Sequence, residues 1–249
     1  MDHQVQARVA AADGGSPVPW LFVAEIEHRV ANEYALAIAS ISLAASRAAN
    51  LEARAALRGT AQRLRDYADV HRSLQAPAVA GEVDVAAYVG QLCHALTRAR
   101  LDERHVSLSL VAEDVAIEAQ RCWRVGLIVS ELVTNCVRHG FNGGGAAKGA
   151  SGGEIAIQIA RSRGAVVCTV SDNGRATCGA ALGRGGQVVD ALAKELGGFV
   201  ERRYGARGTT VVLSFPEHDP NVTTPCGASR RGTEDFAFST SRRELLLSY

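Results

Sequence analysis

The feature that most constrains the fold is a long segment, Trp20 to Leu74, that contains no proline and a single glycine, Gly59. The segment is rich in Ala, Leu, Arg and Glu, which favour helices. In its first half, apolar residues recur every three or four positions and so share one helix face; they are Val23, Ile26, Val30, Tyr34, Ala37, Ile38, Ile41 and Ala45. A turn is expected near Ala49 to Glu52, and a second helix is expected to end before Pro77. The segment is therefore predicted to be a helical hairpin.

A hairpin of this kind needs a partner surface. Two helices alone rarely bury enough apolar area, and such hairpins commonly pair with a copy of themselves to make a four-helix bundle. The chain is thus expected to be a homodimer.

Downstream of Pro77, amphipathic helices alternate with short alternating strands, which predicts an α/β sandwich with helices on one sheet face. The expected helices are 85–101, 120–139 and 187–196, and the expected strands are 105–111, 115–118, 154–160, 165–171 and 209–215. The strand at 115–118 is expected beside the one before it, and 209–215 is expected to close the sheet. The fold class is therefore α+β.

Four segments follow from this pattern: a flexible lead-in over 1–18, the hairpin over 19–76, the sandwich domain over 77–216 and a disordered polar tail over 217–249. Within the tail, Leu245-Leu246-Leu247 is a candidate docking element.

Composition excludes several classes of function. Lys and Arg number 27 against 26 Asp and Glu, a net charge of +1, so no global field recruits nucleic acid or an acidic membrane. No apolar stretch approaches the roughly 20 residues of a membrane span, and the N-terminus lacks a signal-peptide layout. A cytoplasmic protein is expected. The six cysteines form no C-x-x-C pair, which argues against zinc and disulfides and favours reduced packing thiols.

Three polar residues recur on the helix near position 131. Glu131 and Asn135 are four residues apart and Arg138 is three further on, so they share one stripe. A carboxylate, an amide oxygen and a guanidinium could respectively polarise a water or hydroxyl, ligate a hard cation and hold a phosphate. A solvated helix face with chance polar residues explains this segment equally well.

A second polar group follows a predicted strand. Asp172-Asn173-Gly174 stands at the strand end, and Gly183, Gly185 and Gly186 precede a helix. A carboxylate at a strand end can accept a hydrogen bond from an exocyclic amine such as that of adenine, and glycines before a helix leave N–H groups free to approach phosphate. D-N-G is also a common tight turn, so by itself it is a weak indication of nucleotide binding. The indication becomes strong because the motif follows the polar helix near residue 131 in the sequence.

Taken together, four segments resemble the boxes of the GHKL ATPase domain of histidine kinases: ELVTNCVRHGF (131–141) the N box, VSDNG (170–174) the first glycine box, GRGGQVVDALAKELGG (183–198) the second, and GTTVVLSFP (208–216) the last. The hairpin agrees. EIEHRVAN (25–32) resembles the phosphoacceptor box of the H-R-V-x-N subgroup close to the HWE kinases, and ADVHRSL (68–74) resembles the end of its second helix. The resemblance covers roughly residues 20–216.

His28 is the candidate phosphoacceptor. It lies about 200° from both Ile26 and Val30 at 100° per residue, opposite the apolar stripe, so it is expected to be exposed. A neutral imidazole can attack phosphorus through a ring nitrogen, with Glu27 or Glu25 available to orient or deprotonate the ring. A surface histidine without a role would be the ordinary interpretation in the absence of the ATPase boxes.

The resemblance implies a role for each site residue. The catalytic residues would be His28, as the phosphoacceptor, and Glu131, as a base or water-positioning group. Asn135 would hold Mg²⁺ together with the ATP phosphates. Asp172 would bind adenine, and the other nucleotide-binding positions are Arg138, Gly174, Gly183, Gly185 and Thr209. The phosphoryl group would pass from His28 to an aspartate on a response regulator receiver domain, and the signal could arrive from an upstream sensor protein.

Departures from the family pattern keep two alternatives open. Ala176 stands where a second glycine is usual, Arg184 replaces an apolar residue between the lid glycines, Ala31 replaces a common Lys, and the lid between Gly174 and Gly183 is short. These changes favour weak ATP binding.

One alternative is a histidine phosphotransfer protein with a degenerate ATPase domain. The other is a serine kinase of the anti-sigma-factor type, against which the H-R-V-x-N setting of His28 counts.

Overall fold

The computed structural model of the chain describes residues 18–77, 81–141, 152–174, 183–205, 208–219 and 242–247. The chain divides into two compact units, Met1–Ala76 and Pro77–Tyr249. No helix within the described ranges is long and apolar enough to cross a lipid bilayer.

The first unit is the predicted helical hairpin. Helix α1 spans Val18–Arg47 and helix α2 spans Leu51–Ser73. Asn50 caps α2, because its side-chain oxygen accepts hydrogen bonds from the backbone N–H groups of Glu52 at 2.7 Å and Ala53 at 3.2 Å. The cap satisfies two N–H groups that a helix start leaves without a partner, and so fixes the turn at the expected place.

The hairpin buries one face and exposes another. Ala45 of α1 and Ala61 and Val70 of α2 are at most 5% exposed. Small residues at these positions let the two helices approach closely. Leu36 and Leu43 of α1 are 63% and 51% exposed, and their spacing of seven places them on one helix face. Two large apolar side chains therefore remain uncovered on a single side of α1.

The second unit contains three α-helices and eight strands in the described ranges, besides the π-helical turns Thr97–Leu101 and Cys136–Gly140 and the 3-10 turn Asp102–Arg104. The helices are α3 (Val85–Leu96), α4 (Ala119–Asn135) and α5 (Arg184–Glu195). The strands are β1 (Glu82–Asp84), β2 (Val106–Glu113), β3 (Ala116–Glu118), β4 (Gly153–Ser162), β5 (Ala165–Asp172), β6 (Phe199–Gly205), β7 (Gly208–Pro216) and β8 (Arg242–Leu247).

Six of these strands form one mixed sheet in the order β6-β7-β5-β4-β2-β8. Strands β2 and β4 run parallel, and every other neighbouring pair is antiparallel. The expectation that 209–215 closes the sheet is wrong, because β6, which the sequence analysis did not find, pairs with the outer side of β7. Five of the seven β6 residues are exposed, so its pattern lacks the alternation that marks a half-buried strand.

One face of the sheet carries the core. Alternate strand residues are buried, among them Leu108, Leu110, Ile155, Ile157, Val166, Cys168, Leu213 and Phe215. The helices contribute Val89, Leu92, Ile128, Val129, Val189 and Ala193 to the buried set. Residues between the buried strand positions, such as Glu154 and Gln158, are exposed. The predicted fold class, a helical hairpin followed by an α/β sandwich with helices on one sheet face, is confirmed.

Strand β3 does not lie beside β2 as expected. It pairs antiparallel with β1, with Val83 opposite Ile117. The backbone N–H of Val85 donates to the carbonyl of Val115, so the start of α3 is tied to the strand that leads into α4. A three-residue strand such as β1 is too short to show alternation in the sequence, which is why it was missed.

The expectation of a disordered tail over 217–249 is wrong for residues 242–247. These residues form β8, which pairs with the outer edge of β2, with Leu245 opposite Leu110 and Leu247 opposite Leu108. An uncovered edge strand presents unpaired backbone groups, and β8 satisfies those of β2. The candidate docking element 245–247 is therefore part of the sheet.

Arg121 ties the end of the sheet to the helices. Its side chain is only 4% exposed. The guanidinium donates to the carbonyls of Pro216 at 2.6 Å, Glu217 at 2.8 Å and Leu196 at 3.1 Å, and it lies 5.5 Å from the centre of the Phe215 ring. Burial lowers the pKa of Arg121 from its ordinary value, and the three carbonyls compensate for the lost hydration.

Candidate functional site

The C-terminal end of α4 carries the first group of predicted site residues. Glu131 and Asn135 are half-buried, and Arg138 is exposed. The expectation of one helix to residue 139 is wrong, because α4 ends at Asn135 and Cys136–Gly140 form a π-helical turn. A π-helical turn has i to i+5 hydrogen bonding and is frequent at functional sites. Arg138 therefore does not keep the helical phase of Glu131 and Asn135.

The Asp172–Gly174 turn is fixed by its own hydrogen bonds. Oδ1 of Asp172 accepts the backbone N–H of Gly174 at 2.8 Å. The side-chain oxygen of Asn173 accepts the N–H of Glu154 at 2.7 Å, and the N–H of Asn173 donates to the carbonyl of Glu154 at 3.1 Å. These two bonds join the end of β5 to the start of β4. The Asp172 carboxylate is thus held at a strand end, with one oxygen already paired.

The π-helical turn packs directly on the Asp172–Gly174 turn. A Cβ added to Gly174 would lie 2.6 Å from the Cα of Gly140, and a Cβ added to Gly140 would lie 3.2 Å from Oδ1 of Asp172. The first distance leaves no room for a side chain at Gly174, and a side chain at Gly140 would require the Asp172 carboxylate to shift. Gly140 is therefore a site residue that the sequence analysis did not assign, and its only signal in the sequence is its place within the motif.

Strand β7 closely approaches the backbone of Asp172. Gly208 has a φ of +125°, and a Cβ at this position would overlap the carbonyl oxygen of Asp172. Only glycine combines this backbone conformation with so close an approach. Thr209, which follows it, is half-buried. The structure thus places Asp172, Gly174 and the start of β7 at one corner of the domain.

Helix α5 meets α4 at Glu131. A Cβ added to Gly185 would overlap Oε1 of the Glu131 side chain. Gly183 precedes α5 as its N-cap, and within the described part of the chain no side chain accepts a hydrogen bond from the first turn of this helix. Free N–H groups at a helix N-terminus attract phosphate. The close approach of Gly185 to Glu131 thus brings the second predicted glycine box next to the Glu131 carboxylate.

Cys136, at the start of the π-helical turn, is half-buried and lies within the electrostatic influence of Asp172. Burial, and then the negative charge of Asp172, raise the pKa of Cys136 well above its ordinary value. Cys136 is the second site residue that the sequence analysis did not assign.

His28 lies on α1 in the hairpin unit and is exposed, in agreement with its helical phase. Its Nδ1 is 3.3 Å from the side-chain nitrogen of Asn32. Glu25 instead pairs with Arg29 at 2.8 Å, and Glu27 accepts the backbone N–H of Ala76 at 3.4 Å. The ring is thus contacted by Asn32, whereas the two carboxylates expected to orient it are engaged elsewhere.

The remaining predictions concern metals, cysteines and the lid. Among the described residues no cluster of three or more His, Cys, Asp or Glu could hold a metal ion. The four cysteines in these ranges, Cys93, Cys122, Cys136 and Cys168, are free thiols. Ala176, with the rest of the predicted lid at 175–182, lies outside the described residues.

The structure defines an α/β domain that follows a helical hairpin in the chain. A family model for histidine kinases matches residues 25–100, and one for the histidine kinase-like ATPase domain matches residues 94–215. The chain belongs to the histidine kinase family, which confirms the resemblance seen in the sequence. The ATPase domain implies ATP as the nucleotide.

Individual relatives agree with this assignment. The chain is similar to the sensor histidine kinase PdtaS of Mycobacterium tuberculosis, 28% identical over 201 residues that cover 78% of this chain and 39% of the relative. Blue-light-activated histidine kinase 2 of Erythrobacter litoralis is 26% identical over 210 residues, covering 78% of this chain and 56% of the relative. The chain therefore spans well under two thirds of either relative.

A solved structure resembles the fold. The histidine kinase domain of the blue-light activated histidine kinase from Erythrobacter litoralis has a TM-score of 0.49 and 24% sequence identity, covering 78% of this chain and 90% of that one.

Proposed function

We propose that this chain is a histidine kinase core that transfers the γ-phosphoryl group of ATP to His28. The observation that carries the proposal is the contact of three motif segments at one corner of the second unit. The turn after α4 packs on the Asp172–Gly174 turn, and Glu131 packs on the first turn of α5. The three segments lie far apart in the sequence, and their meeting creates one site with a carboxylate at one side and a helix N-terminus at the other.

Asp172 is suited to bind the adenine base. Oδ1 already accepts the N–H of Gly174, which leaves the second carboxylate oxygen for the exocyclic amine. The phosphates would then bind at the first turn of α5, where Gly183 and Gly185 leave the backbone N–H groups accessible. Gly174 and Thr209 border the adenine side, and the exposed Arg138 can reach a phosphate from the π-helical turn.

Asn135 is the residue that would hold Mg²⁺. Mg²⁺ prefers oxygen ligands and is usually bound by one or two protein groups together with phosphate oxygens and water. A half-buried amide at the end of α4 fits this donor set. When bound, the ion would neutralise charge on the phosphates. Glu131 would orient the attacking group near the γ-phosphate.

His28 supplies the nucleophile. In the observed arrangement the Asn32 amide nitrogen faces Nδ1, which favours the tautomer with the proton on Nε2. Rotation of the Asn32 amide by 180° would place its oxygen next to Nδ1 of His28. The Nδ1–H group would then donate to this oxygen, and Nε2 would be unprotonated and able to attack the γ-phosphorus. The N–P bond then forms as the bond between the γ-phosphorus and its bridging oxygen breaks, and ADP leaves.

Onward transfer and dimerisation belong to the same proposal. The exposed imidazole of His28 would donate its phosphoryl group to the aspartate of a response regulator receiver domain. Leu36 and Leu43, uncovered on one face of α1, would pack against the hairpin of a second copy in a four-helix bundle. Sedimentation of the double variant Leu36→Glu/Leu43→Glu tests this, and we expect a monomer.

Incubation of the purified chain with γ-labelled ATP and Mg²⁺ tests the kinase proposal. We expect an acid-labile label that His28→Ala removes. His71→Ala is the matched control, because His71 lies in the same hairpin with its ring 6.1 Å from that of Tyr34. Full labelling of His28→Ala would contradict the proposal.

A phosphotransfer protein remains the second candidate. Arg184, exposed in the first turn of α5, stands where the family usually has an apolar residue, and this change favours a weakened nucleotide site. No label from ATP, together with labelling of His28 by a phosphorylated receiver domain, would support this candidate over the kinase.

A further inference from the structure

Strand β6 forms one edge of the six-stranded sheet. It pairs with β7 on one side, and among the strands that the structure describes none pairs with its other side. An edge of this kind can pair with a strand of another chain through its outward backbone N–H and C=O groups. Phe199 and Tyr204, near the two ends of β6, are exposed large apolar side chains. The outer edge of β6 is therefore accessible to a partner strand along its length.

The charged residues at the centre of β6 are arranged symmetrically. Charges on an edge strand usually oppose pairing with another chain. Here Glu201 and Arg203 flank the central residue, Arg202, and carry opposite charges. They share one face of the sheet because they are two residues apart, and Nη2 of Arg203 donates to Oε2 of Glu201 at 3.1 Å. Both side chains are exposed, so a second strand could exchange this pair within the chain for pairs between chains.

A second copy of the chain matches this charge pattern. A two-fold axis perpendicular to the sheet at Arg202 would pair β6 antiparallel with β6 of the second copy, so that Glu201 of each chain lies opposite Arg203 of the other. Opposite charges directly across a strand pair stabilise it, and like charges destabilise it. An axis at Glu201 would place two glutamates opposite each other, and an axis at Arg203 would do so with two arginines. The charges therefore favour one register.

The apolar residues of β6 also match in this register. Val200 lies opposite Tyr204 of the second copy, which makes a pair of a β-branched and an aromatic side chain. Phe199 lies opposite Gly205 of the second copy, where an aromatic ring can cover an edge glycine. Because Arg202 is the middle residue of Phe199–Gly205, the two strands overlap over their whole length.

Arg202 is the one residue that lies opposite its own copy. Its guanidinium donates to Oδ1 of Asp190 at 2.8 Å and to the carbonyl of Gly186 at 3.3 Å, both on α5. Its side chain is only 15% exposed. The positive charge is thus paired within its own chain, which weakens the repulsion between the two copies of Arg202.

We infer that the outer edge of β6 is an interaction surface for a second copy of this chain, with the two β6 strands paired antiparallel about Arg202. The two six-stranded sheets then form one continuous sheet. This surface is distinct from Leu36 and Leu43 of the hairpin, and the inference does not depend on nucleotide binding. A ladder of seven residues buries less area than a standard interface, so the association should be weak unless another contact holds the two copies together.

Disulfide trapping tests the register in the full chain. Glu201→Cys and Arg203→Cys chains are co-expressed and mildly oxidised, and peptide mass spectrometry locates each disulfide, which separates the engineered cysteines from the native ones. We expect a disulfide between positions 201 and 203, because residues directly opposite in an antiparallel pair lie within disulfide range. Either variant expressed alone should form far less disulfide at its engineered position. Absence of the 201–203 disulfide, or an equal yield of a 201–201 disulfide from Glu201→Cys alone, would overturn the inference.

Charge reversal tests whether the ion pairs between chains hold the contact. Sedimentation over a range of concentrations is measured in the Leu36→Glu/Leu43→Glu background, so that the hairpin contact does not contribute. We expect Arg203→Glu to weaken self-association at least about tenfold, because it replaces two opposite-charge pairs by like-charge pairs. Glu201→Arg/Arg203→Glu, which restores opposite charges across the axis, should recover it.

Arg163→Glu is the matched control, because it makes the same change of charge at an exposed turn residue outside β6. Equal weakening by Arg203→Glu and Arg163→Glu, or no recovery in Glu201→Arg/Arg203→Glu, would overturn the inference. It would also be overturned if the background chain did not self-associate up to about 1 mM, the effective concentration that a short tether supplies.

Discussion

Gly185 of α5 lies so close to the Glu131 carboxylate of α4 that a Cβ at position 185 would overlap Oε1. The contact joins the N-box segment to the second glycine-box segment, and a side chain at position 185 would displace the Glu131 carboxylate. It also sets the distance between the carboxylate that we propose as catalytic and the helix N-terminus that would hold phosphates.

Gly185→Ala should therefore force Glu131 away from α5. We expect labelling from ATP to fall at least about tenfold, since a displacement near 1 Å at a catalytic group costs that much or more. Val188→Ala is the matched control, because Val188 lies on the same helix with its side chain exposed and has no assigned role in the site. Equal rates for the two variants would mean that the close approach of Gly185 has no part in catalysis.

The helical hairpin and the exposure of His28 could be predicted from the sequence because both follow from a local period of 3.6 residues. The contact of Gly140 with Asp172 could not, since it joins residues far apart in the chain. The same holds for β8, whose pairing with β2 depends on an edge that only the folded sheet presents. Cys136 lies within the N-box motif, but nothing in the spacing of the motif indicates that the Asp172 charge acts on its thiol.

Arg121 should be a principal stabilising residue of the second unit. Arg121→Met keeps the apolar stem but leaves the carbonyls of Leu196, Pro216 and Glu217 without their donor. We expect a loss of about 3 kcal/mol in the free energy of unfolding, measured by urea titration. Arg124→Met is the control. Arg124 pairs with the exposed Glu195, and an ion pair of this kind should contribute less than about 1 kcal/mol to the free energy of unfolding. Similar losses for both variants would contradict this account.

Strand β8 should protect the edge of β2 from solvent exchange. The double variant Leu245→Pro/Leu246→Pro removes two consecutive backbone N–H groups, one of which must point toward β2 because successive N–H groups of a strand face opposite sides. We expect hydrogen exchange of the amides in Val106–Glu113 to accelerate, while those in Phe199–Gly205, at the opposite edge, keep their wild-type rates. Unchanged exchange of β2 in the variant would show that β8 does not cover this edge in solution.

Alkaline pH should lower the free energy of unfolding of the second unit, because its buried cysteine thiols resist ionisation in the folded state. Burial raises the pKa of Cys93, Cys122 and Cys168 to about 12, against an ordinary value of 9.0. The folded state keeps these protons while the unfolded chain loses them, so this stability is intact below about pH 9 and falls as pH rises toward 12. Each thiol contributes up to about 1.4 kcal/mol per pH unit. Cys168→Ala should reduce the slope of melting temperature against pH above 9, and an unchanged slope would exclude Cys168 as a source.

The position of the phosphoryl group on the chain tests the central claim most directly. After incubation with ATP and Mg²⁺, tandem mass spectrometry under neutral conditions should find phosphohistidine at His28, and Asn135→Ala should abolish it. In the same Asn135→Ala variant, a phosphorylated receiver domain should still load His28, because that route does not use the nucleotide site. Phosphorylation at another residue, or at His28 in Asn135→Ala at the wild-type rate, would contradict the account.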